Sequence, residues 1–274
     1  MPYSVLILTG NEAANIGRCI ESLTGCDDIV VVDSYSTDDT VEQARSRGAR
    51  VFQRSFDTFA SQRNWGVDSC QLKYPWVLHL DADECMTPAL HEEIESIVAA
   101  DTHSAYFIAN KLMFMGRWIR HASMYPYYQA RLLKRGESEF QQIGHGQILG
   151  RADRGTGTLR EPYIHHNFSR GVSDWVERHN RYSTDEAKRL NAPVASPEAA
   201  GAAGVQSQQQ LLKRLAARLP CRPLIRFGYL YVIRGGFLDG RAGFDYCVLM
   251  SFYDYLTRLK ARELRMAASA PGKP

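Results

Sequence analysis

No two of the six cysteines (Cys19, Cys26, Cys70, Cys85, Cys221 and Cys247) stand as a Cys-x-x-Cys pair, and no histidines sit at zinc-finger spacing. Neither a disulfide framework nor a structural zinc site is readable, and a reducing compartment fits. No Gly-x-Gly-x-x-Gly follows the first apolar run and no Gly-Lys-Ser or Gly-Lys-Thr cradle occurs, which counts against dinucleotide oxidoreductases and P-loop kinases. A Ser or Cys nucleophile with a convincing local signature is also missing. A formal charge of +3 is too small for a surface devoted to nucleic acid, and none is expected as a partner. No internal repeat stands out. The first apolar run, Val5-Leu6-Ile7-Leu8, lacks a basic lead and is interrupted by Asn11 and Glu12, so no signal segment is read and a cytoplasmic protein is expected.

What is present begins with alternation. Over the first hundred residues short β-branched runs at 4–9, 29–33, 50–53 and 76–81 alternate with helical periodicity at 13–23, 37–47 and 59–69. That is the pattern of βαβ units, so the expected class is α/β: a Rossmann-like, mainly parallel sheet with flanking helices. A helix over 88–99 and a strand over 105–110 follow, then an aromatic and basic stretch over 113–135 where alternation stops. Residues 192–210 are rich in Ala, Gly, Ser and Gln, which is linker composition. The expected organisation is a catalytic domain over 1–190, a linker over 191–210 and a C-terminal segment over 211–274.

That last segment is locally basic, with Arg222, Arg226, Arg234, Arg241, Arg258, Lys260, Arg262 and Arg265 interleaved among aromatic and aliphatic residues. Charges break every window of the roughly 18 apolar residues that a membrane span needs. Amphipathic helices lying on the inner face of the cell membrane fit better, and a helical hairpin packed on protein is the competing expectation.

Ligands of such sheets bind at the carboxyl ends of the strands. There the sequence has Thr9-Gly10-Asn11-Glu12, Asp33-Ser34 and Asp81-Ala82-Asp83-Glu84. Paired carboxylates after an apolar strand suit a hard divalent cation, magnesium or manganese, that keeps positions open for phosphate oxygens. A lone acidic triplet is weak evidence, since most are merely solvated, and its place at a strand end strengthens it. Asp33 can accept hydrogen bonds from a base or ribose. The plainer expectation there is that Ser34, Ser36 or Thr37 caps the next helix.

Val5-Leu6-Ile7-Leu8-Thr9-x-Asn11-Glu12, Val30-Val31-Val32-Asp33-Ser34-x-Ser36-Thr37-Asp38, Gln62-Arg63-Asn64 and Leu80-Asp81-Ala82-Asp83-Glu84 occur in that order. Together they resemble the family-2 glycosyltransferases, in particular the branch of lipopolysaccharide-core β-glucosyltransferase-like proteins. The resemblance implies a GT-A fold and inversion at the anomeric carbon. It further implies that a hexose moves from a nucleotide-sugar, a UDP-sugar first of all, to a lipid-linked saccharide or polysaccharide acceptor. Carried over, Thr9, Asn11, Glu12, Asp33, Gln62, Arg63, Asn64 and Asp81 line the nucleotide-sugar pocket. Asp83 binds the metal, with Asp81 and either His165 or His166 completing its shell, His165 first. Many relatives carry His-Glu where this chain reads His145-Gly146, so the catalytic base is open among Glu84, Glu139, His145 and Asp153, with Glu84 and His145 ranked first. Two other classes stay in play: a nucleotidyltransferase, and a non-catalytic sugar-binding scaffold that kept the fold without the base.

Overall fold

In a computed structural model, residues 2–143, 146–191 and 221–269 are described. The expected linker over 192–210, the start of the basic segment and His145 lie outside them. The chain divides into two compact units, residues 1–172 and 173–274.

The first unit is built on β1 (Ser4–Thr9), β2 (Ile29–Asp33), β3 (Arg50–Gln53) and β4 (Trp76–Asp81), which lie side by side and parallel in the order β3-β2-β1-β4. Every residue of β1 is buried, as expected of a strand covered on both faces. Its side chains alternate between two cores. Val5 and Ile7 join Ile16, Ile20, Leu78 and Leu90, while Leu6 and Leu8 join Val30, Val32 and Val77. On the first face lie α1 (Ile16–Glu21), α2 (Thr40–Ser46) and α4 (Pro88–Ala100), and α3 (Phe59–Ser69) lies on the second. The helix α3 comes so close that a Cβ on Gly66 would meet Leu6 at 2.8 Å. Thr58 and Thr87 accept the Ser61 and Leu90 amides and so cap α3 and α4.

Beyond β4 the sheet becomes mixed. β8 (Tyr128–Lys134) runs antiparallel to β4 and to β6 (Ala105–Phe114), so the stretch with no readable alternation contains a central strand. β12 (Tyr163–His165) lies parallel to β6 and pairs antiparallel with the short β5 (Glu84–Cys85). β7 (Arg117–Trp118) and β11 (Thr156–Thr158) pair with β6. A separate hairpin, β9 (Ser138–Ile143) with β10 (Gly146–Ala152), docks on α3. The α/β expectation holds, with a parallel half carrying the motifs and a mixed half closing around them.

The helix α5 (Gly171–Asn191) carries the chain into the second unit. There α6 (Arg222–Gly228) continues as a π-helical turn (Tyr229–Ile233), a 3₁₀ turn (Gly236–Asp239) and the 30-residue α7 (Gly240–Ser269). Within that unit Asn191 bonds the Ala261 carbonyl and Tyr253 bonds Glu186. Among the described residues no helix is long and apolar enough to cross a membrane.

Candidate active site

Strand register gathers the motifs. Thr9 pairs with Asp33 and Leu8 with Asp81, so the acids end two strands that flank β1. After β1 the chain builds β2 and β3 on one side and then crosses to β4 on the other. This makes β1 and β4 the edges of a topological switch point, where α/β sheets form their ligand crevice.

On the β2 side the polar residues are knitted together. The buried Asp33 accepts the Ser36 amide and the Gln53 side-chain amide, each at 3.0 Å, and also the Ser36 hydroxyl. Asn11 adopts a left-handed backbone (φ 56°), from which its amide donates to Ser36 Oγ and its side-chain oxygen accepts the Thr37 amide, both at 2.8 Å. Ser36 and Thr37 therefore do not cap α2. Asp39 occupies the cap position, and its neighbour Asp38 accepts the Thr40 amide. Glu12 holds Asn15 at 2.6 Å and Arg170 at 3.1 Å. The buried Thr9 hydroxyl has no hydrogen-bond partner among the described residues.

On the β4 side a charged floor lies beneath a half-open rim. Arg63 and Arg131 are 1% and 3% exposed, and Glu84 is completely buried. Arg63 reaches one Asp81 oxygen at 2.6 Å and Arg131 the other at 3.0 Å. Arg131 also binds Glu84 and, at 3.1 Å, Gln129, which accepts the Tyr163 hydroxyl at 2.5 Å. The second Glu84 oxygen accepts the Asp81 amide at 2.9 Å. Burial works to raise the Asp81 carboxyl, but the two guanidinium groups outweigh it and hold it below the usual carboxylate range. Burial pushes Glu84 up to about 7 against the pull of Arg131.

The rim is Asp81, Asp83 and His165. Because His165 pairs with Glu84 across β5 and β12, its Nε2 comes within 3.4 Å of Asp83 Oδ2. Burial opposes a charge on His165, but Asp83 beside it prevails and lifts its pKa to about 9. The Asp83 carbonyl also accepts the His166 amide.

These contacts bear on several expected roles. Asn64 does not turn toward the crevice: its side chain bonds both the amide and the carbonyl of Phe140, at 3.0 and 2.8 Å, docking β9 on α3. Gln62 is 1% exposed and braces Arg54 and Ser34, which makes it a strut behind the pocket. Glu84 cannot meet an acceptor hydroxyl from a completely buried position with both oxygens engaged, which argues against it as base. Asp81 faces two arginines, whose charge opposes a cation at the same oxygens, which argues against it as a direct metal ligand. Of the other base candidates, Glu139 and Asp153 are exposed.

Arg131, Tyr163, Gln129 and Gln53 were not among the expected site residues. Arg131 was the one with a signal. An arginine inside the apolar run Ala130-Arg131-Leu132-Leu133 is a buried charge that requires carboxylate partners.

Comparison with known sequences decides the family. The sequence pattern of glycosyl transferase family 2 matches residues 4–167, the span that carries every element of this crevice. The chain belongs to the family-2 glycosyltransferases. Its α/β sheet is the GT-A arrangement expected of that family. An uncharacterized glycosyltransferase of Rickettsia felis is 29% identical over 273 residues, covering 95% of this chain and 89% of the relative. The lipopolysaccharide core biosynthesis glycosyltransferase LpsC of Rhizobium meliloti is 25% identical over 280 residues, covering 99% and 96%. Among solved structures, the mannosyltransferase PcManGT of Pyrobaculum calidifontis, in complex with GDP-Man and Mn2+, is similar over 95% of this chain and 87% of its own, at 18% identity and a TM-score of 0.48.

The donor set at the rim of this family-2 glycosyltransferase suits a hard divalent cation. Asp83 offers a carboxylate and His165, once a cation displaces its proton, an imidazole, at a partly open edge where phosphate oxygens can complete the shell. Among the described residues no three His, Cys, Asp or Glu side chains form a cage, and a cation shared with a diphosphate needs none.

Proposed function

We propose that this chain is an inverting transferase that moves a hexose from a UDP-sugar, or a related nucleotide-sugar, to a hydroxyl of a lipid-linked saccharide or polysaccharide of the cell envelope. It would work in the cytoplasm, on the inner face of the membrane. The observation that supports this best is the Asp83–His165 pair at the open rim beside Asp81, one strand from Asp33 across the switch point. The similarity to LpsC over nearly the whole chain supports the cell-envelope acceptor.

Asp33 and the Asn11 loop would receive the nucleoside, with the Thr9 hydroxyl beside them. Asp83 and His165 would hold manganese or magnesium, which when bound supplies positive charge to the departing diphosphate. Asp81, fixed by Arg63 and Arg131, would accept from the ribose. The acceptor oxygen would attack the anomeric carbon from the face opposite the leaving phosphate, forming the new bond as the carbon–phosphate-oxygen bond breaks. Its proton would pass to a base. We assign that role to His145, on the motif-like segment in which it stands in the sequence, and give Glu84 the role of positioning Asp81 and Arg131.

The test is donor turnover by the purified chain, with and without manganese. A positive ligand supplying several kcal/mol of charge stabilisation predicts that Asp83→Asn lowers manganese-dependent UDP-sugar turnover about a hundredfold or more. The melting temperature should stay near that of the parent protein. Full turnover by Asp83→Asn would remove the site assignment, and UDP binding without any turnover by the parent chain would favour a non-catalytic binder.

A further inference from the structure

The helix α7 is turned inside out. Phe244, Val248, Phe252, Tyr255 and Leu259 follow one another at steps of four, four, three and four, which places them on one face, and each is 41–50% exposed. The buried side mixes Ser251, Asp254 and Thr257 with Tyr246, Cys247 and Ala261. The polar side is inward because Asp254 is the centre of an ion cluster. Arg258 lies 3.2 Å from it, and Arg222 and Arg226 of α6 lie at 3.4 and 3.7 Å. A helix folding against water alone would place these faces the other way round.

The preceding segment repeats the inversion. Leu224, Ile225, Tyr229, Val232 and Ile233 recur on one side of α6 and the π-helical turn, with Leu224 73% and Ile233 74% exposed. Phe237 and Leu238 extend the exposed apolar run through the 3₁₀ turn. On the inner side Phe227, Tyr231 and Phe244 pack ring against ring, at centroid distances of 5.3 to 5.7 Å. Phe244, itself partly exposed, joins the two apolar runs.

Exposed cations accompany these runs: Arg241, whose side chain is 95% exposed and lies 4.0 Å from Asp245, near the start of α7, and Arg262 and Arg265 near its end, where Glu263 is also exposed and Arg265 donates to Asn191. Apolar and aromatic side chains flanked by arginines match the boundary of an anionic bilayer, where rings and aliphatic groups enter the acyl region and guanidinium groups meet phosphates. With no described helix able to span a membrane, such a surface lies along the bilayer.

We propose that the outward faces of α7 and of the α6–π segment are a docking surface for acidic phospholipid, with Leu224, Ile233, Phe237 and Phe252 as inserted side chains. This rests on the membrane placement proposed above and is independent of the transfer chemistry, so the experiment reads both.

The full chain is sedimented with vesicles of phosphatidylcholine alone and of phosphatidylcholine mixed with phosphatidylglycerol, and UDP-sugar turnover is measured on the same samples. The expected result is binding to the acidic vesicles only, weakened by salt. Ile233→Glu and Phe252→Glu should each lower the partition coefficient about tenfold, as expected when an inserted apolar group becomes charged. The control Ile148→Glu, an exposed apolar position in the first unit, should bind like the parent chain. Circular dichroism and UDP binding confirm that the variants fold. Binding that survives both substitutions, or that ignores lipid charge, overturns the proposal. So does a parent chain that is dimeric in light scattering and becomes monomeric in Phe252→Glu, because the face would then belong to a second copy. Vesicle binding without turnover leaves the surface standing and removes the transferase reading, while turnover without vesicle binding does the reverse.

Discussion

Arg131 is the residue on which the acidic motif depends. Its guanidinium lies between Asp81 and Glu84, and neither it nor Glu84 has appreciable contact with water. Removing one member of a buried pair leaves the other charged and unpartnered, so Arg131→Met should cost about 3–5 kcal/mol in urea unfolding. Adding Glu84→Gln should restore part of that loss, because no buried charge is then stranded. A double variant as unstable as the sum of the two single changes would show that the pair is not coupled. The place of Asp81 and Asp83 after an apolar strand was readable. The partners of Asp81 were not, because Arg63 and Arg131 are 18 and 50 residues from it in sequence.

At the scale of elements, α3 joins the parallel half of the sheet to the hairpin. Gly66 is the point of closest approach: a methyl there would lie 2.8 and 2.9 Å from the fully buried Leu6 side chain and 3.2 Å from Val32. Gly66→Ala should therefore destabilise by about 1–3 kcal/mol through overpacking, measured as a lower urea midpoint. On the other side of α3, Asn64 makes both hydrogen bonds to Phe140. Asn64→Ala leaves an amide and a carbonyl without their partner and should cost about 1–3 kcal/mol. Hydrogen exchange should quicken over residues 138–143 and stay unchanged in β1 and β4; equal quickening everywhere would place Asn64 in the global core instead. The strands of the parallel half were legible to the residue because β1, β2 and β4 are buried on both faces and read as short apolar runs, with the half-buried β3 between turn residues. In the mixed half β6 was legible over 105–110, but β8 was not, because Gln129 and Arg131 interrupt its apolar residues and blur its period.

At the scale of the whole chain, a polar stitch draws distant segments of the first unit together. Asp101, at the left-handed end of α4, binds Lys134 of β8 at 2.7 Å and Arg154, between β10 and β11, at 2.9 Å. Hydrogen bonds from Arg154 and Lys134 draw its carboxyl down to about 2. A carboxylate whose pKa falls on folding stabilises above its unfolded value, and that contribution disappears as pH falls from about 4 to 2. The difference in urea midpoint between the parent chain and Asp101→Asn should therefore be present at neutral pH and vanish by the lower end of that window. These groups are partly exposed, so the effect should be small and should shrink with salt. A difference that persists at acid pH would mean that the charge of Asp101 is not what matters.

Two-sided burial and strand-end polarity are local properties, so the amino-acid sequence by itself determined the α/β class, the four parallel strands and the acidic crevice at their ends. The family followed from the order of the motifs. The sequence also carried the basic, aromatic character of the C-terminal segment. Which groups touch was decided only by the tertiary structure. Register set His165 beside Asp83, the antiparallel β8 brought Arg131 beneath Asp81 and Glu84, and Asn64 was turned away to the hairpin. The same holds for α7, where a buried Asp254 cluster sends the apolar face outward, an orientation that periodicity alone leaves undefined because a hydrophobic stripe looks the same whether it faces a core or a lipid surface.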